Sequence, residues 1–198
     1  MAIRVVAFDL MDTVVRDPFR EALEVATGLG LRELFERRDP TVYPAFERGE
    51  IDEAAYWAHY ETAGITVDPA AFHRTRREGI AFLPGMAELL DDLTGLVERV
   101  TASNYPVWVE ELARDHLEGR FERILASCHL GVRKPERGFF DRLVDELEVS
   151  ADEVCFVDDR HDNVEAARRA GLRAHRFVDA PTLRGWLADH GVPVRRNA

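Results

Sequence analysis

Near its amino end the chain reads IRVVAFD, from Ile3 to Asp9. Apart from Arg4, the residues before Asp9 are apolar and mostly β-branched, which is typical of a buried strand. Asp9 then stands at the carboxyl-terminal tip of that strand. Ligands of open α/β sheets bind beyond the carboxyl ends of the strands. The stretch therefore predicts both a strand and the position of a site.

Strand-like and helical segments alternate along most of the remaining chain. The further strand candidates are Leu96–Thr101, Ile124–Ser127, Val154–Val157 and Ala174–Val178. Helical periodicity fills the intervals at Gly85–Leu93, Val107–Leu117, Gly138–Leu147 and Asn163–Ala170. Such alternation implies right-handed crossovers between parallel strands. The sequence therefore predicts an α/β fold with a doubly wound, parallel, Rossmann-like sheet.

One interval, from about Pro18 to Ala81, breaks this alternation because its patterns are all helical. The helices predicted there include Phe19–Ala26, Leu31–Arg37 and Asp52–Ala63. We therefore expect a Rossmann-like core made of residues 1–15 and 82–198 and a helical cap made of residues 16–81. Since the insertion starts just after Asp9, its linkers must lie at the mouth of the site, where the cap can act as a lid.

The bulk composition limits the classes of function. With 198 residues, 46% of them hydrophobic, the chain suits one domain carrying one modest insertion. Its net charge of -11 argues against binding to nucleic-acid phosphates. No apolar run is long enough for a membrane span, and the first strand begins too early for a signal peptide. We expect a cytoplasmic protein with no nucleic-acid or membrane partner, and with Cys128 and Cys155 as reduced core thiols.

Lysine usage singles out one position. All 26 Lys and Arg positions are arginine except Lys134, which is followed by Pro135. A lysine ammonium is a compact charge on a flexible stem, whereas a guanidinium is a planar fork. The exception is explained either by chance or by a site at Lys134 where only the compact charge fits.

Polar residues follow the predicted strands at Asp9, Ser103-Asn104 and Asp158-Asp159. An Asp after a strand is by itself more often a turn former or a helix cap. The adjacent pair Asp158-Asp159 is harder to explain in that way, because neighbouring carboxylates repel each other unless a cation or a lysine relieves them. With Lys134, the set supplies a nucleophile, a hydroxyl, an ammonium and a carboxylate pair.

These segments resemble the four motifs of the haloacid dehalogenase superfamily, and the resemblance covers almost the whole chain. The matching residues are Asp9–Thr13 (DLMDT) for Asp-x-Asp-Gly-Thr, Ser103-Asn104 for the second motif, Lys134-Pro135 for the third and Phe156–Asn163 (FVDDRHDN) for the fourth. The helical insertion resembles the small cap of the phosphatase-like subfamily, and Phe46–Ile51 with Tyr56-Trp57 resembles its cap helices.

The resemblance implies a magnesium-dependent phosphatase that acts on a small phosphorylated metabolite. Asp9 would attack phosphorus and form an aspartyl-phosphate. The Mg²⁺ cofactor would be bound by Asp9, by Asp159 and by the backbone carbonyl of Met11.

The same resemblance implies how the phosphate is bound. Ser103, the backbone around Asn104 and Lys134 would contact the phosphate, so that Ser103 and Lys134 are catalytic together with Asp9. Asn163 would orient a metal-bound water. The role of Asp158 is open between a metal ligand and a residue that supports the ligands.

Met11 departs from the family pattern. It stands where these phosphatases carry the Asp that protonates the leaving group and then activates water. A thioether does neither, so a general acid–base contribution of typically about 10²–10⁴-fold is expected to be lost. Asp12 follows directly, but neighbouring side chains on an extended segment point in different directions, which argues against its substituting.

Met11 leaves three functions open. The first is a magnesium phosphatase that is slow on alkyl esters and faster on leaving groups that need no proton. The second is a metal-free 2-haloacid dehalogenase, whose members carry a non-acidic residue at this position, although Asp158-Asp159 counts against it. The third is a catalytically impaired ligand-binding or regulatory protein. The sequence names neither the substrate nor the oligomeric state.

Overall fold

The computed structural model describes residues 2–117 and 119–195, so Met1, Glu118 and residues 196–198 of the predicted core lie outside the described residues. Its sheet contains the strands β1 (Val5–Phe8), β2 (Glu98–Thr101), β3 (Val154–Asp158) and β4 (Arg173–Arg176). The strand order is β2-β1-β3-β4, and each neighbouring pair is parallel. The predicted parallel α/β sheet is confirmed.

The register of the sheet brings three strand tips together. Phe8 of β1 is level with Thr101 of β2 on one side and with Val157 of β3 on the other. The residues that follow these positions therefore emerge at one edge of the sheet. They include Asp9 and Ser103.

The predicted strand Ile124–Ser127 is only partly formed. Two isolated parallel bridges, at Arg123 and Ala126, connect this segment to the β2 side of the sheet, and a helix begins at Ser127. The hydroxyl of Thr101 donates to the carbonyl of Leu125 at 2.9 Å and accepts from its N–H at 2.8 Å. The Thr101 side chain thus bonds to backbone groups of Leu125 that would pair with the backbone of β2 in a continuous strand.

Helices cover both faces of the sheet. The core helices are α6 (Met86–Leu93), α7 (Val109–Leu112), α8 (Ser127–Leu130), α9 (Arg137–Leu147), α10 (His161–Arg169) and α11 (Ala180–Asp189), and a π-helical turn, Ala113–Leu117, continues α7. Along β1, Val6 and Phe8 pack with α6 and α11, whereas Val5 and Ala7 pack with α9 and α10. This alternation produces the doubly wound arrangement.

Five helices and no strand lie between β1 and α6: α1 (Phe19–Thr27), α2 (Leu31–Arg37), α3 (Val42–Glu47), α4 (Glu53–Thr62) and α5 (Pro69–Gly79). The side chains of Asp52 and Asp68 cap α4 and α5 by accepting backbone N–H groups. The segment Phe46–Ile51 is not one helix, because α3 ends at Glu47 and Gly49 turns the chain with φ 70°. The arrangement supports the proposed cap of residues 16–81.

An aromatic seam joins the cap to the core. We define it as Phe46, Tyr56, Trp57 and Phe72 of the cap together with Trp108 of the core, all of them buried. The Trp108 ring centroid lies 4.9 Å from those of Phe46 and Phe72 and 5.9 Å from that of Trp57. The cap and one face of the sheet therefore share a single apolar cluster.

Neither cysteine of the chain is in a disulfide, and Cys155 is buried while Cys128 is half-buried. Among the residues that the structure describes, no helix has the length and apolar character needed to cross a membrane.

Candidate active site

Asp9 lies directly beyond β1 and is almost fully buried. Its Oδ1 accepts a hydrogen bond from Ser103 Oγ at 2.8 Å and lies 3.0 Å from Lys134 Nζ. Burial raises the pKa of Asp9, and Lys134 offsets part of that effect. These contacts all involve Oδ1, which leaves Oδ2 as the oxygen suited to a nucleophile.

Lys134 is buried between two carboxylates. Its Nζ lies 2.6 Å from Asp158 Oδ2 and 3.0 Å from Asp9 Oδ1. Burial lowers the pKa of Lys134, but the attraction of Asp158 and Asp9 outweighs it, so the pKa is raised and the side chain stays charged. This position matches the compact-charge interpretation of the chain's one lysine.

Asp158 is fully buried, and both of its oxygens are occupied. Oδ1 accepts from the backbone N–H of Arg160 at 2.8 Å, Oδ2 accepts from Lys134, and Asn163 Nδ2 donates to each oxygen at 3.0 Å. The role that the sequence left open is therefore better filled by support of Lys134 than by metal binding. The Asn163 amide group serves Asp158, a contact that the sequence did not predict.

Asp159 is half-buried beside Asp9. Its backbone N–H donates to Thr13 Oγ1 at 3.1 Å, which ties the tip of β3 to the first motif. Burial raises the pKa of Asp159 to about 6, and the neighbouring carboxylates of Asp9, Asp158 and Asp12 act in the same direction.

Three carboxylates converge here, since Asp9, Asp158 and Asp159 each bring an oxygen within 4.8 Å of the others. With Asp158 held by Lys134, Asp9 and Asp159 remain as anionic oxygen ligands. Burial, and to a smaller extent repulsion between carboxylates, raises the pKa of both groups, and a bound cation relieves that repulsion. Mg²⁺ prefers such oxygen ligands. The donor set fits Mg²⁺.

The side chain of Asn104 forms hydrogen bonds to the backbone of Lys134. Asn104 Nδ2 donates to the Lys134 carbonyl at 2.9 Å, and Asn104 Oδ1 accepts from the Lys134 N–H at 2.7 Å. The amide is thereby used to hold the segment that carries the lysine. Any substrate contact of Asn104 falls to its backbone, as the resemblance implies.

The segment after Asp9 is a tight turn, so the expectation of an extended segment at Met11-Asp12 is wrong. The N–H groups of Thr13, Val14 and Val15 all point to the carbonyl of Leu10, and Asp12 has φ 57°. The turn lets both Met11 and Asp12 line the cavity. Asp12 Oδ1 accepts from the backbone N–H of Asp17 at 3.1 Å.

A cavity of about 710 Å³ opens above the strand tips, between the core and the cap. Its core side carries Asp9, Met11, Asp12, Ser103, Asn104, Tyr105, Arg133, Lys134, Asp159, Arg160 and Asn163. Its cap side carries Asp17, Phe19, Arg20, Phe35, Arg38, Tyr43 and Glu47. The cap thus supplies three aromatic rings, two arginines and two carboxylates to the cavity.

Sequence reasoning missed one buried ion pair of this cavity, between Glu47 at the end of α3 and Arg133. The Arg133 Nε and Nη2 atoms lie 2.9 and 2.8 Å from Glu47 Oε2. Burial raises the pKa of Glu47 to about 7, although Arg133 opposes the shift. Glu47 ends an otherwise apolar helix, so a charged residue on that buried face was the available signal.

A family model described as haloacid dehalogenase-like hydrolase matches residues 3–171 of this chain. The chain belongs to the haloacid dehalogenase-like hydrolase family. This membership confirms the resemblance carried by the four motifs, and it makes the chain a hydrolase of that family.

Two similar proteins are a curated relative and a solved structure. Flavin mononucleotide hydrolase 1 of Arabidopsis thaliana is 33% identical over 194 residues, which is 96% of this chain and 78% of that protein. A haloacid dehalogenase family enzyme of Bacteroides thetaiotaomicron, solved in complex with magnesium and inorganic phosphate, is 18% identical with a TM-score of 0.75, over 88% of this chain and 94% of that chain.

The fold itself does not decide between phosphatase and dehalogenase. The L-2-haloacid dehalogenase of Xanthobacter autotrophicus also matches, with 18% identity and a TM-score of 0.64, over 96% of this chain and 84% of that chain. Both structural likenesses show the α/β fold alone. The choice of chemistry must come from the residues of the site.

Proposed function

We propose that the protein is a magnesium-dependent phosphatase that cleaves a small phosphorylated metabolite through an aspartyl-phosphate. One observation carries the proposal: Asp9 is held by Ser103 and Lys134 through a single oxygen, directly beside the carboxylate of Asp159. A nucleophile, two phosphate-binding groups and a cation site thus meet at the floor of one cavity.

Each of these residues has a task in phosphoryl transfer. Asp9 Oδ2 attacks phosphorus, and the ester oxygen leaves on the opposite side. Ser103 Oγ and Lys134 Nζ bind non-bridging oxygens of the phosphate, while Asp158 holds Lys134 in place. Asp9 and Asp159 would hold Mg²⁺, which when bound supplies positive charge against the phosphate oxygens.

The charge of the site favours this chemistry over metal-free dehalogenation. Three carboxylates, those of Asp9, Asp158 and Asp159, face one ammonium, that of Lys134. Without a cation this excess of negative charge disfavours an ionised Asp9, which either reaction needs as its nucleophile. A bound cation removes that obstacle. The metal-free dehalogenase reaction has no such cation.

The cap suggests a substrate with a planar ring. Phe35 is 38% exposed on the cavity wall although it is large and apolar, and the Arg38 guanidinium lies 4.3 Å from its ring centroid. On the same side of the cavity, the ring centroids of Phe19 and Tyr43 are 4.6 Å apart. A cavity of 300–1,000 Å³ suits a ligand of cofactor size. Flavin mononucleotide, the substrate in the relative's name, is therefore our first candidate.

The deciding experiment is a substrate panel assayed with magnesium and with a chelator. We expect phosphate release from flavin mononucleotide and from p-nitrophenyl phosphate with Mg²⁺, loss of both on chelation, and no halide release from 2-chloropropionate. The Asp159→Asn variant should need more Mg²⁺ for half-maximal activity, because one anionic ligand is lost. Halide release that resists the chelator would favour the dehalogenase, and magnesium and phosphate binding without turnover would favour an impaired protein.

Replacing Phe35 with alanine should weaken binding of the ring. An aromatic pair contributes about 0.5–1.5 kcal/mol beyond burial, so we expect KM for flavin mononucleotide to rise roughly threefold to tenfold while kcat changes little. Leu96→Ala is the matched control, since Leu96 is 39% exposed and does not line the cavity. An equal rise of KM for glycerol phosphate would show that Phe35 shapes the cap rather than contacting a ring.

A further inference from the structure

We propose that Glu47, which the cap delivers to the cavity, is the proton donor and acceptor that replaces the acid missing at Met11. The inference rests on the proposed phosphatase function. It concerns a residue outside the four motifs.

The end of α3 is fixed to the core, which places Glu47 over the site. Ser127 Oγ donates to the backbone carbonyl of Glu47 at 2.5 Å. Two residues later, Gly49 packs so closely that a Cβ there would lie 3.0 Å from the carbonyl oxygen of Cys128. Only glycine suits both this approach and the positive φ. Glu47 is therefore held in the cavity that contains Asp9 and Met11.

The ion pair with Arg133 uses only one side of the Glu47 carboxyl. Both arginine nitrogens lie against Oε2. Among the described residues, Oε1 has no hydrogen-bond partner, so it is the atom that can meet a leaving oxygen or a water. Asp12 and Asp17 also line the cavity, but Asp12 accepts from the Asp17 N–H and Asp17 accepts from the Phe19 N–H. Each of those bonds ties one carboxylate oxygen to the backbone of the turn that starts the cap, whereas Glu47 is held by a side-chain cation.

The surroundings of Glu47 keep its proton available near neutral pH. Burial raises its pKa to about 7, Arg133 and Lys134 oppose the rise, and Asp9 adds to it. Tyr43, Tyr56 and Arg48 are further titratable groups close to it. A general acid works best when its pKa lies near the operating pH.

Glu47 gives up a proton in the first step and regains one in the second. Asp9 Oδ2 forms a bond to phosphorus as the ester bond breaks, and the proton of Glu47 Oε1 moves to the leaving oxygen. A water then attacks phosphorus of the aspartyl-phosphate and gives its proton to the Glu47 carboxylate. The bond from phosphorus to Asp9 breaks, which releases inorganic phosphate and returns both carboxyl groups to their starting states.

The test compares Glu47→Gln with Arg133→Gln, because both variants break the ion pair and only the first removes the acid. With glycerol phosphate, whose leaving oxygen needs a proton, we expect Glu47→Gln to lose about 10²-fold or more in kcat/KM. With p-nitrophenyl phosphate the loss in the first step should be much smaller. Arg133→Gln should retain most of its activity on both.

The pH profile separates an acid from a residue that merely docks the cap. In wild type, kcat/KM for glycerol phosphate should fall as pH rises through about 7. This limb should vanish in Glu47→Gln and move to higher pH in Arg133→Gln, since the cation that lowers the pKa of Glu47 is gone. Equal losses in both variants with an unchanged profile would overturn the proposal. Wild type that hydrolyses no phosphate ester would overturn the phosphatase function itself.

Discussion

Asp9→Asn should abolish hydrolysis of every phosphate ester, by roughly 10⁴-fold or more in kcat. The amide is a poor nucleophile, yet it is nearly the same shape and keeps an oxygen that can accept from Ser103. The variant should also melt at or above the wild-type temperature in chelator. Burial makes the charge of Asp9 unfavourable in the folded protein, as its raised pKa indicates, and the amide carries no charge. Steady-state kinetics and thermal unfolding measure the two effects.

Asp12→Asn is the matched control for that loss. It removes a carboxylate from the same cavity and the same turn, but among the described residues that carboxylate accepts only a backbone N–H. We expect it to retain most of the activity. Hydrolysis that survives in Asp9→Asn would mean that Asp9 is not the nucleophile. An equal loss in Asp12→Asn would mean that the loss of activity does not single out Asp9.

Met11→Asp should restore a proton donor beside the leaving oxygen, and its effect should be largest where Glu47 has been removed. In the Glu47→Gln background we expect a gain of roughly tenfold to a thousandfold on alkyl phosphates, within the range of general acid–base catalysis. The gain in otherwise wild-type protein should be smaller, because Glu47 already supplies the proton. Aryl phosphates should gain less in the first step, since a phenolate leaves without a proton.

Transient kinetics tests the same idea from the other side. In Glu47→Gln, the aspartyl-phosphate should accumulate and give a burst of product stoichiometric with enzyme. Adding Met11→Asp should speed the breakdown of the intermediate and so shorten the burst. Met11→Asn is the control, because it places a polar group of similar size there without an acid. Folding and magnesium binding must be checked, since a half-buried carboxyl close to Asp12 can lack partners. A folded, metal-binding variant with no gain on any ester, and no burst in either background, would argue against phosphoryl transfer.

The residues that meet at the strand tips could be predicted because a parallel sheet places all its carboxyl ends on one edge. Asp9, Ser103 and Asp159 follow from that rule alone. Lys134 was marked by its solitary identity, which no strand position would have shown. The sequence pointed to Asn104 as a site residue but did not show the use of its side chain, because the partner is the backbone of Lys134, 30 residues away.

What the sequence did not show depends on docking between distant segments. Glu47 reaches the site because Ser127 and the close packing of Gly49 hold the end of α3, and neither contact follows a sequence period. The turn at Leu10–Val15 was missed for a related reason. One carbonyl accepts three N–H groups there, and a run of strand-like residues gives no sign of it.

The aromatic seam limits how freely this cap can be exchanged. Trp108, which belongs to the core, packs among rings that belong to the cap, so the hydrophobic centre of the cap continues into the core. Cutting at the cap linkers would separate Phe46 and Phe72 from the Trp108 ring, leave them only their ring contacts within the cap, and leave a cavity around Trp108. A chimaera that moves this cap onto another hydrolase must therefore also carry Trp108 and the helix α7 that follows it. The two parts that the sequence pattern separates thus share one apolar cluster in the structure.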